Sequence, residues 1–97
     1  MTYYVDIDGT ICTQDGTDYE NAKPIQSAID RINALYDEGH RIVYWTARGT
    51  KTGINWTYLT LKQFDAWGVK FHDLQFGKPA YDVLIDDKAF NISEIGG

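Results

Sequence analysis

The chain has 97 residues, a formal net charge of −5, and ordinary contents of apolar (43%) and charged (24%) residues, which predict one soluble globular domain spanning residues 1–97. The acidic balance argues against a broad nucleic-acid surface, and no stretch approaches the ~20 apolar residues of a membrane span. The single cysteine, Cys12, excludes an intrachain disulfide and is typical of a reducing compartment, so we expect a cytoplasmic protein.

The first predicted element is a buried strand over residues 2–7, which is rich in β-favouring side chains. It runs into Asp6-Ile7-Asp8-Gly9-Thr10, and we expect Asp6 and Asp8 to point the same way, because residues two apart share one face of a strand. Neighbouring carboxylates repel, so the pair indicates a compensating cation, a shared proton or strong hydrogen bonds. Mg²⁺ is the cation we expect, and two solvated aspartates at a strand end are the alternative.

Residues 11–21 are turn-rich and predict a mobile loop over the end of this strand. A helix follows from Pro24, with apolar residues at helical spacing, and Gly39 is expected just after its end. Residues 41–46 predict a second buried strand that ends in Thr46.

Residues 53–67 predict a second helix that ends at Gly68. Its expected inner face carries Ile54, Tyr58, Leu61, Phe64 and Trp67. A short strand over 69–72, a loop over 76–79 and a last apolar run over 81–85 complete the predicted elements.

The alternation of strands and helices predicts an α/β fold with a mainly parallel sheet and right-handed crossovers. In such sheets ligands bind beyond the carboxyl ends of the strands. Three apolar runs end there in polar groups, namely Asp6 with Asp8, Thr46, and Asp86 with Asp87. The sequence therefore predicts one site at this edge of the sheet.

These residues resemble a known family. The Asp6–Thr10 motif, Thr46, Lys78 and Asp86-Asp87 are similar to the four motifs of the haloacid dehalogenase (HAD) superfamily of phosphohydrolases. The resemblance implies a compact, Rossmann-like three-layer sandwich, with a HAD-like core and no cap domain. The stretches 46–49 and 76–88 also look like small phosphatases found with bacterial capsule and surface-polysaccharide genes.

The family resemblance implies four catalytic roles. Asp6 would be the nucleophile that forms an aspartyl-phosphate, and Asp8 would be the general acid and then the base that activates water. Thr46 would hold phosphoryl oxygens, and Lys78 would balance the charge that develops there.

The resemblance also implies a Mg²⁺ cofactor. Its ligands would be the Asp6 carboxylate, the Asp8 backbone carbonyl and a carboxylate of Asp86 or Asp87, between which the sequence does not choose. Further residues expected to bind phosphate or substrate are Gly9, Thr10, Ala47 and Arg48.

Lys78 lies only eight positions before Asp86, whereas many relatives carry the lysine well upstream on a helix. Pro79 holds Lys78 extended, so we expect it to enter the site from a loop. Lys51 and Lys88 are weaker candidates for the same positive charge.

The expected substrate is a small phosphorylated metabolite, with a sugar or polyol phosphate of surface-polysaccharide metabolism as the first choice. Without a cap the site is open, so it either accepts a large substrate or borrows a lid from a neighbouring subunit of a homo-oligomer. The alternatives are a phosphatase of nucleic-acid ends or phosphoprotein, and a non-catalytic regulatory domain whose aspartate accepts phosphate.

Four other residues have a structural alternative to a functional role. Arg48 suits a substrate phosphate or carboxylate as well as a salt bridge. His72 and His40 are more simply satisfied structural groups, and Cys12 has no basic neighbours in the sequence that would make it a nucleophile.

Overall fold

Within the part of the chain that the structure describes, three parallel strands form a sheet. The computed structural model describes residues 1–78, so the predicted strand over 81–85 and the Asp86-Asp87 pair lie outside the described residues. The strands are β1 (Thr2–Val5), β2 (Arg41–Trp45) and β3 (Asp73–Gln75), in the spatial order β1-β2-β3. Both pairings are parallel, which confirms the predicted α/β class.

Two helices connect these strands, namely α1 (Gln26–Asp37) and α2 (Thr57–Trp67). The end of α1 is set by Gly39, whose φ of +96° is a conformation that glycine adopts without strain. Its N–H donates to the carbonyl of Tyr36 at 3.0 Å, and the N–H of His40 donates to that of Leu35 at 3.1 Å. This pair of bonds closes the helix in a Schellman motif, so the predicted end at Gly39 is confirmed.

The hydrophobic core lies where the two helices meet the sheet. Its buried members include residues of α1, β2 and α2, together with the turn after β1: Ile7, Ile11, Ala28, Ile29, Ile32, Leu35, Ile42, Tyr44 and Phe64. The Tyr44 ring packs against Phe64, with the ring centroids 4.9 Å apart. Burial raises the pKa of Tyr44, so its hydroxyl stays protonated.

The predicted inner face of α2 is confirmed at Phe64 and Trp67, which pack in the core, and is wrong at Ile54, Tyr58 and Leu61. Ile54, Tyr58 and Leu61 are 53%, 76% and 43% exposed, whereas Thr60 and Gln63 are buried beside Phe64. The helix also begins at Thr57 and not at residue 53, because the Asn55 side chain accepts a hydrogen bond from the N–H of Thr57 at 2.9 Å. Apolar spacing misplaced this face because the helix presents polar side chains to a buried arginine.

The third strand lies beyond the predicted range of 69–72. His72 occupies the position just before β3, where its N–H donates to the carbonyl of Ile42 at 2.8 Å. Its Nδ1 accepts the N–H of Ile42 at 3.0 Å, and its ring stacks on Tyr36 at 4.6 Å. These contacts give His72 a structural role that extends the pairing of β2 with β3.

The loop between β1 and α1 is tied at its base. The N–H of Thr13 donates to the carbonyl of Lys23, and the N–H of Ile25 donates to that of Ile11, both at 2.8 Å. A short 3₁₀ turn, Tyr19–Asn21, lies within this loop. The two ends of the loop are therefore held together, and residues 14–19 project from them.

Among residues 1–78, neither helix has the length and apolar character needed to cross a membrane.

Candidate active site

The chain turns sharply after β1, and this turn positions Asp6 and Asp8. Gly9 has a φ of +81°, and its N–H donates to the carbonyl of Cys12 at 2.9 Å. The carbonyl of Ile7 accepts two N–H groups of the same turn, at 3.1 and 3.0 Å. The glycine of the predicted motif therefore provides the left-handed conformation that closes the turn around the two aspartates.

Asp8 forms a bidentate ion pair with Arg48. The Arg48 Nε donates to Asp8 Oδ2 at 2.9 Å, and Nη2 donates to Oδ1 at 2.8 Å. The Arg48 side chain has no exposed surface and that of Asp8 is only 11% exposed. Two parallel hydrogen bonds of this kind fix both the distance and the orientation of a carboxylate.

The rest of the Arg48 guanidinium is also bonded within the protein. Its Nη1 donates to the side-chain oxygens of Thr60 at 3.1 Å and Gln63 at 2.6 Å, both on α2. The Gln63 amide in turn donates to the backbone carbonyl of Tyr19 at 2.6 Å, and the Tyr19 ring lies 4.8 Å from the guanidinium carbon. Arg48 thus connects the turn after β1, the following loop and α2.

Asp6 lies in different surroundings. Its Oδ2 is 3.3 Å from the ammonium of Lys78, and its side chain is 42% exposed. Its Oδ1 accepts the N–H of Ile7 at 2.9 Å. The two aspartates of one turn therefore have separate cationic partners, and Asp6 is the one that solvent and ligands can reach.

Thr46 follows the end of β2, as predicted, and is buried. Its hydroxyl oxygen accepts the N–H of Arg48 at 3.1 Å, which leaves the hydroxyl proton to donate. Its backbone carbonyl accepts the N–H of Lys78 at 3.1 Å, and the Thr50 hydroxyl donates to the Lys78 carbonyl at 2.9 Å. These bonds place the lysine at the strand ends from a loop, as the sequence predicted.

The structure brings together Asp6, Asp8, Thr46, Arg48 and Lys78 of the predicted site. Gly9, Thr10 and Ala47 lie in the adjoining turns, and their contact with phosphate stays a prediction. The buried pairing of Arg48 with Asp8 supports its salt-bridge alternative, since its donors are directed to protein groups.

Within residues 1–78, no cluster of three or more acidic, histidine or cysteine side chains could hold a metal ion. Asp86 and Asp87, which the sequence predicts as ligands, lie outside this range. The exposed oxygens of Asp6 are hard donors of the kind Mg²⁺ prefers, so this described part of the predicted ligand set fits Mg²⁺.

Comparison with known proteins bears on the fold. No protein-family model and no curated protein matches the chain. The crystal structure of a structural-genomics target from Vibrio cholerae superposes with a TM-score of 0.87 at 29% identity, covering 96% of this chain and 85% of that one. The two chains share one fold. That protein is described as a target without a stated activity, so the likeness carries no information about a reaction.

Sequence analysis missed three partners of Arg48: Tyr19, Thr60 and Gln63. Thr60 and Gln63 are three residues apart and therefore share one helix face. Two polar residues at that spacing beside Phe64 are a signal that a polar partner is buried there. The periodicity of the apolar residues concealed this signal.

Cys12 is buried next to the Asp8–Arg48 pair. Its Sγ lies 3.4 Å from Asp8 Oδ1 and 3.9 Å from Arg48 Nη2. Burial, followed by the negative charge of Asp8 and its hydrogen bond, raises the pKa of Cys12 from 9.0 to about 12, although Arg48 opposes this. The thiolate is the reactive form, so the structural role expected for Cys12 is supported.

We expect Cys12 to resist alkylation in the folded protein. Each pH unit changes the thiolate fraction tenfold, so at pH 8 the shift from 9.0 to about 12 slows iodoacetamide labelling about 10³-fold, before steric exclusion is added. Mass spectrometry of labelled protein, native and in guanidinium chloride, measures the ratio. Similar rates in the two states would contradict the buried position of the thiol.

Proposed function

We propose that this chain is a Mg²⁺-dependent phosphomonoesterase with a capless, HAD-like core, which acts through an aspartyl-phosphate. The observation that carries the proposal is the contrast between two aspartates of one turn. Asp6 is accessible beside the Lys78 ammonium at 3.3 Å, as a nucleophile must be. Asp8 is buried and oriented by two bonds from Arg48, as an acid–base group must be.

In the proposed first step, an Asp6 carboxylate oxygen attacks phosphorus while the bond to the leaving oxygen breaks. Asp8 gives its proton to that oxygen. In the second step Asp8 takes a proton from water, which attacks phosphorus and releases Asp6 and inorganic phosphate. The two hydrogen bonds from Arg48 orient Asp8 for these proton transfers.

Charge neutralisation is the main requirement of phosphoryl transfer. The Lys78 ammonium neutralises Asp6 and lies where phosphoryl oxygens would approach, and the Thr46 hydroxyl proton is a further donor at the same strand ends. Asp6, the Asp8 carbonyl and one carboxylate of Asp86 or Asp87 would hold Mg²⁺. When bound, the metal ion would supply positive charge to the phosphoryl oxygens.

The proposed substrate is a sugar or polyol phosphate of surface-polysaccharide metabolism, which rests on the sequence resemblance. The runner-up is a regulatory domain in which Asp6 accepts phosphate and keeps it. Asp6, which is accessible beside the Lys78 ammonium, could accept phosphate in this alternative as well.

The test is phosphate release from p-nitrophenyl phosphate with Mg²⁺ and with EDTA. We expect multiple turnovers with Mg²⁺ and loss of at least about 10²-fold of the rate with EDTA, which readdition of Mg²⁺ restores. A stoichiometric phosphoprotein without turnover would support the regulatory alternative. Turnover that is indifferent to EDTA would contradict the metal-dependent mechanism.

A further inference from the structure

A cleft of about 260 Å³ opens beside the candidate active site. It lies between the loop at residues 14–19 and the segment at residues 47–56, which follows β2. Its volume is below the ~300–1,000 Å³ of pockets for drug-sized ligands, so it suits a small molecule.

Three features place this cleft beside the turn that carries the aspartates. Ala47, on its wall, directly follows Thr46. Tyr19, on another wall, lies over the Arg48 guanidinium at 4.8 Å. The Gln14 side chain lies next to the turn that carries the aspartates, because a Cβ at Gly9 would be 3.1 Å from the side-chain oxygen of Gln14. The cleft therefore borders the Asp8–Arg48 pair, and Asp8 is the group proposed to protonate the leaving oxygen.

Gly49 lies in the cleft wall, where the backbone comes close to Ile54 and Trp56. Its φ is +81°, and a Cβ there would collide with the carbonyl oxygen of Ile54 and lie 3.2 Å from the Trp56 ring. The Trp56 ring also packs edge-on against Tyr19, with centroids 5.1 Å apart. These two aromatic rings offer an apolar wall of the kind that covers the carbon skeleton of a ligand.

The polar lining consists of hydroxyl and amide groups and one positive charge. Gln14, Thr17 and Thr52 supply the neutral donors and acceptors, and Lys51 supplies the ammonium. Within residues 1–78 no acidic side chain pairs with this lysine of the cleft, so its positive charge is suited to an anionic group of a ligand.

We propose that this cleft is the leaving-group subsite, and that it selects polyol phosphates carrying a second anionic group, which Lys51 binds. This inference rests on the proposed phosphatase function. The aromatic wall would cover the carbon chain, the hydroxyl and amide groups would bind its hydroxyls, and the phosphate to be cleaved would lie at Asp6.

The test compares two substrates that differ in one group. Gluconate 6-phosphate carries a carboxylate where glucitol 6-phosphate carries a hydroxymethyl group. We expect the wild-type kcat/KM to favour gluconate 6-phosphate about fivefold, which is the effect of one solvent-accessible ion pair. The preference should fall as salt is added, because such a pair is screened.

Lys51→Gln should reduce this preference to near one, whereas Lys62→Gln should preserve it. Lys62 lies on the exposed side of α2 over the Tyr58 ring, so its substitution removes the same charge away from the cleft. Because the readout is a ratio between two substrates, a general loss of activity does not affect it. A wild-type ratio near one, or an unchanged ratio in Lys51→Gln, would overturn the inference.

A binding measurement keeps the two proposals distinguishable. Trp56 lines the cleft, so gluconate 6-phosphate should quench tryptophan fluorescence of the Asp6→Asn variant, about fivefold more weakly when Lys51→Gln is added. If quenching of the Asp6→Asn variant depends on Lys51 but the wild-type protein does not hydrolyse p-nitrophenyl phosphate, the cleft is supported and the phosphatase function is rejected. Hydrolysis without Lys51-dependent binding would support the phosphatase and reject the inference.

Discussion

Replacing Arg48 with methionine is expected to lower the free energy of unfolding by about 3–5 kcal/mol. The substitution leaves the Asp8 carboxylate, which is 11% exposed, without its bidentate partner. It also removes the hydrogen bonds that the side-chain oxygens of Thr60 and Gln63 accept from the guanidinium. Domains of this size have total stabilities of about 5–15 kcal/mol, so the loss is a large fraction of the whole.

Urea denaturation followed by circular dichroism measures this effect, and Asp8→Asn completes a double-mutant cycle. We expect a coupling energy of about 1–3 kcal/mol between the two sites, because each single substitution leaves the other side chain buried without its charged partner. Arg48→Lys keeps the charge but not the planar fork, so it should lie between wild type and Arg48→Met. Additive effects of Asp8→Asn and Arg48→Met would contradict the pairing.

Replacing Asp6 with asparagine is expected to lower the turnover of p-nitrophenyl phosphate by at least about 10³-fold. The amide is a poor nucleophile and cannot form the aspartyl-phosphate. Stability should change by about 1 kcal/mol or less, because the Asp6 side chain is 42% exposed and solvent weakens its 3.3 Å pair with Lys78, whose side chain is 14% exposed. Arg48→Met, in contrast, is expected to lower stability strongly.

Asp37→Asn is the matched control for this substitution. Asp37 also pairs with a lysine, Lys70, at 2.8 Å, and both side chains are about half exposed on the surface away from the candidate site. It should lose a similar small amount of stability and keep wild-type turnover. Turnover that survives Asp6→Asn at a level comparable to Asp37→Asn would reject Asp6 as the nucleophile.

The sequence alone was sufficient to predict the α/β class and the parallel direction of the strands. When strand-forming segments alternate with helical segments, only a few sheet topologies are possible, and the preference for right-handed crossovers reduces their number further. The end of α1 at Gly39 and that of α2 at Gly68 were also predictable, because a positive φ near a helix terminus favours glycine. The two helix ends depend on single glycines, and the α/β class depends on the order of the segments, so both can be read from the sequence.

The proximity of the candidate site residues was predictable in part for the same reason. Asp6, Asp8 and Thr46 follow strands whose carboxyl ends lie at one edge of a parallel sheet, so a site there follows from the topology. Lys78 reaches that edge through backbone bonding to Thr46, as its position in a loop suggested. The roles of these residues in a reaction remain predictions.

Only the tertiary structure decided the partners of Arg48 and the buried face of α2. An arginine three residues beyond a strand can turn outward to a ligand or inward to a carboxylate, and its neighbours in sequence do not decide which. The choice depends on Asp8, Thr60 and Gln63, which are 40, 12 and 15 residues away. Burying the guanidinium requires that its donors be satisfied, so α2 turns Thr60 and Gln63 inward and leaves Tyr58 and Leu61 exposed.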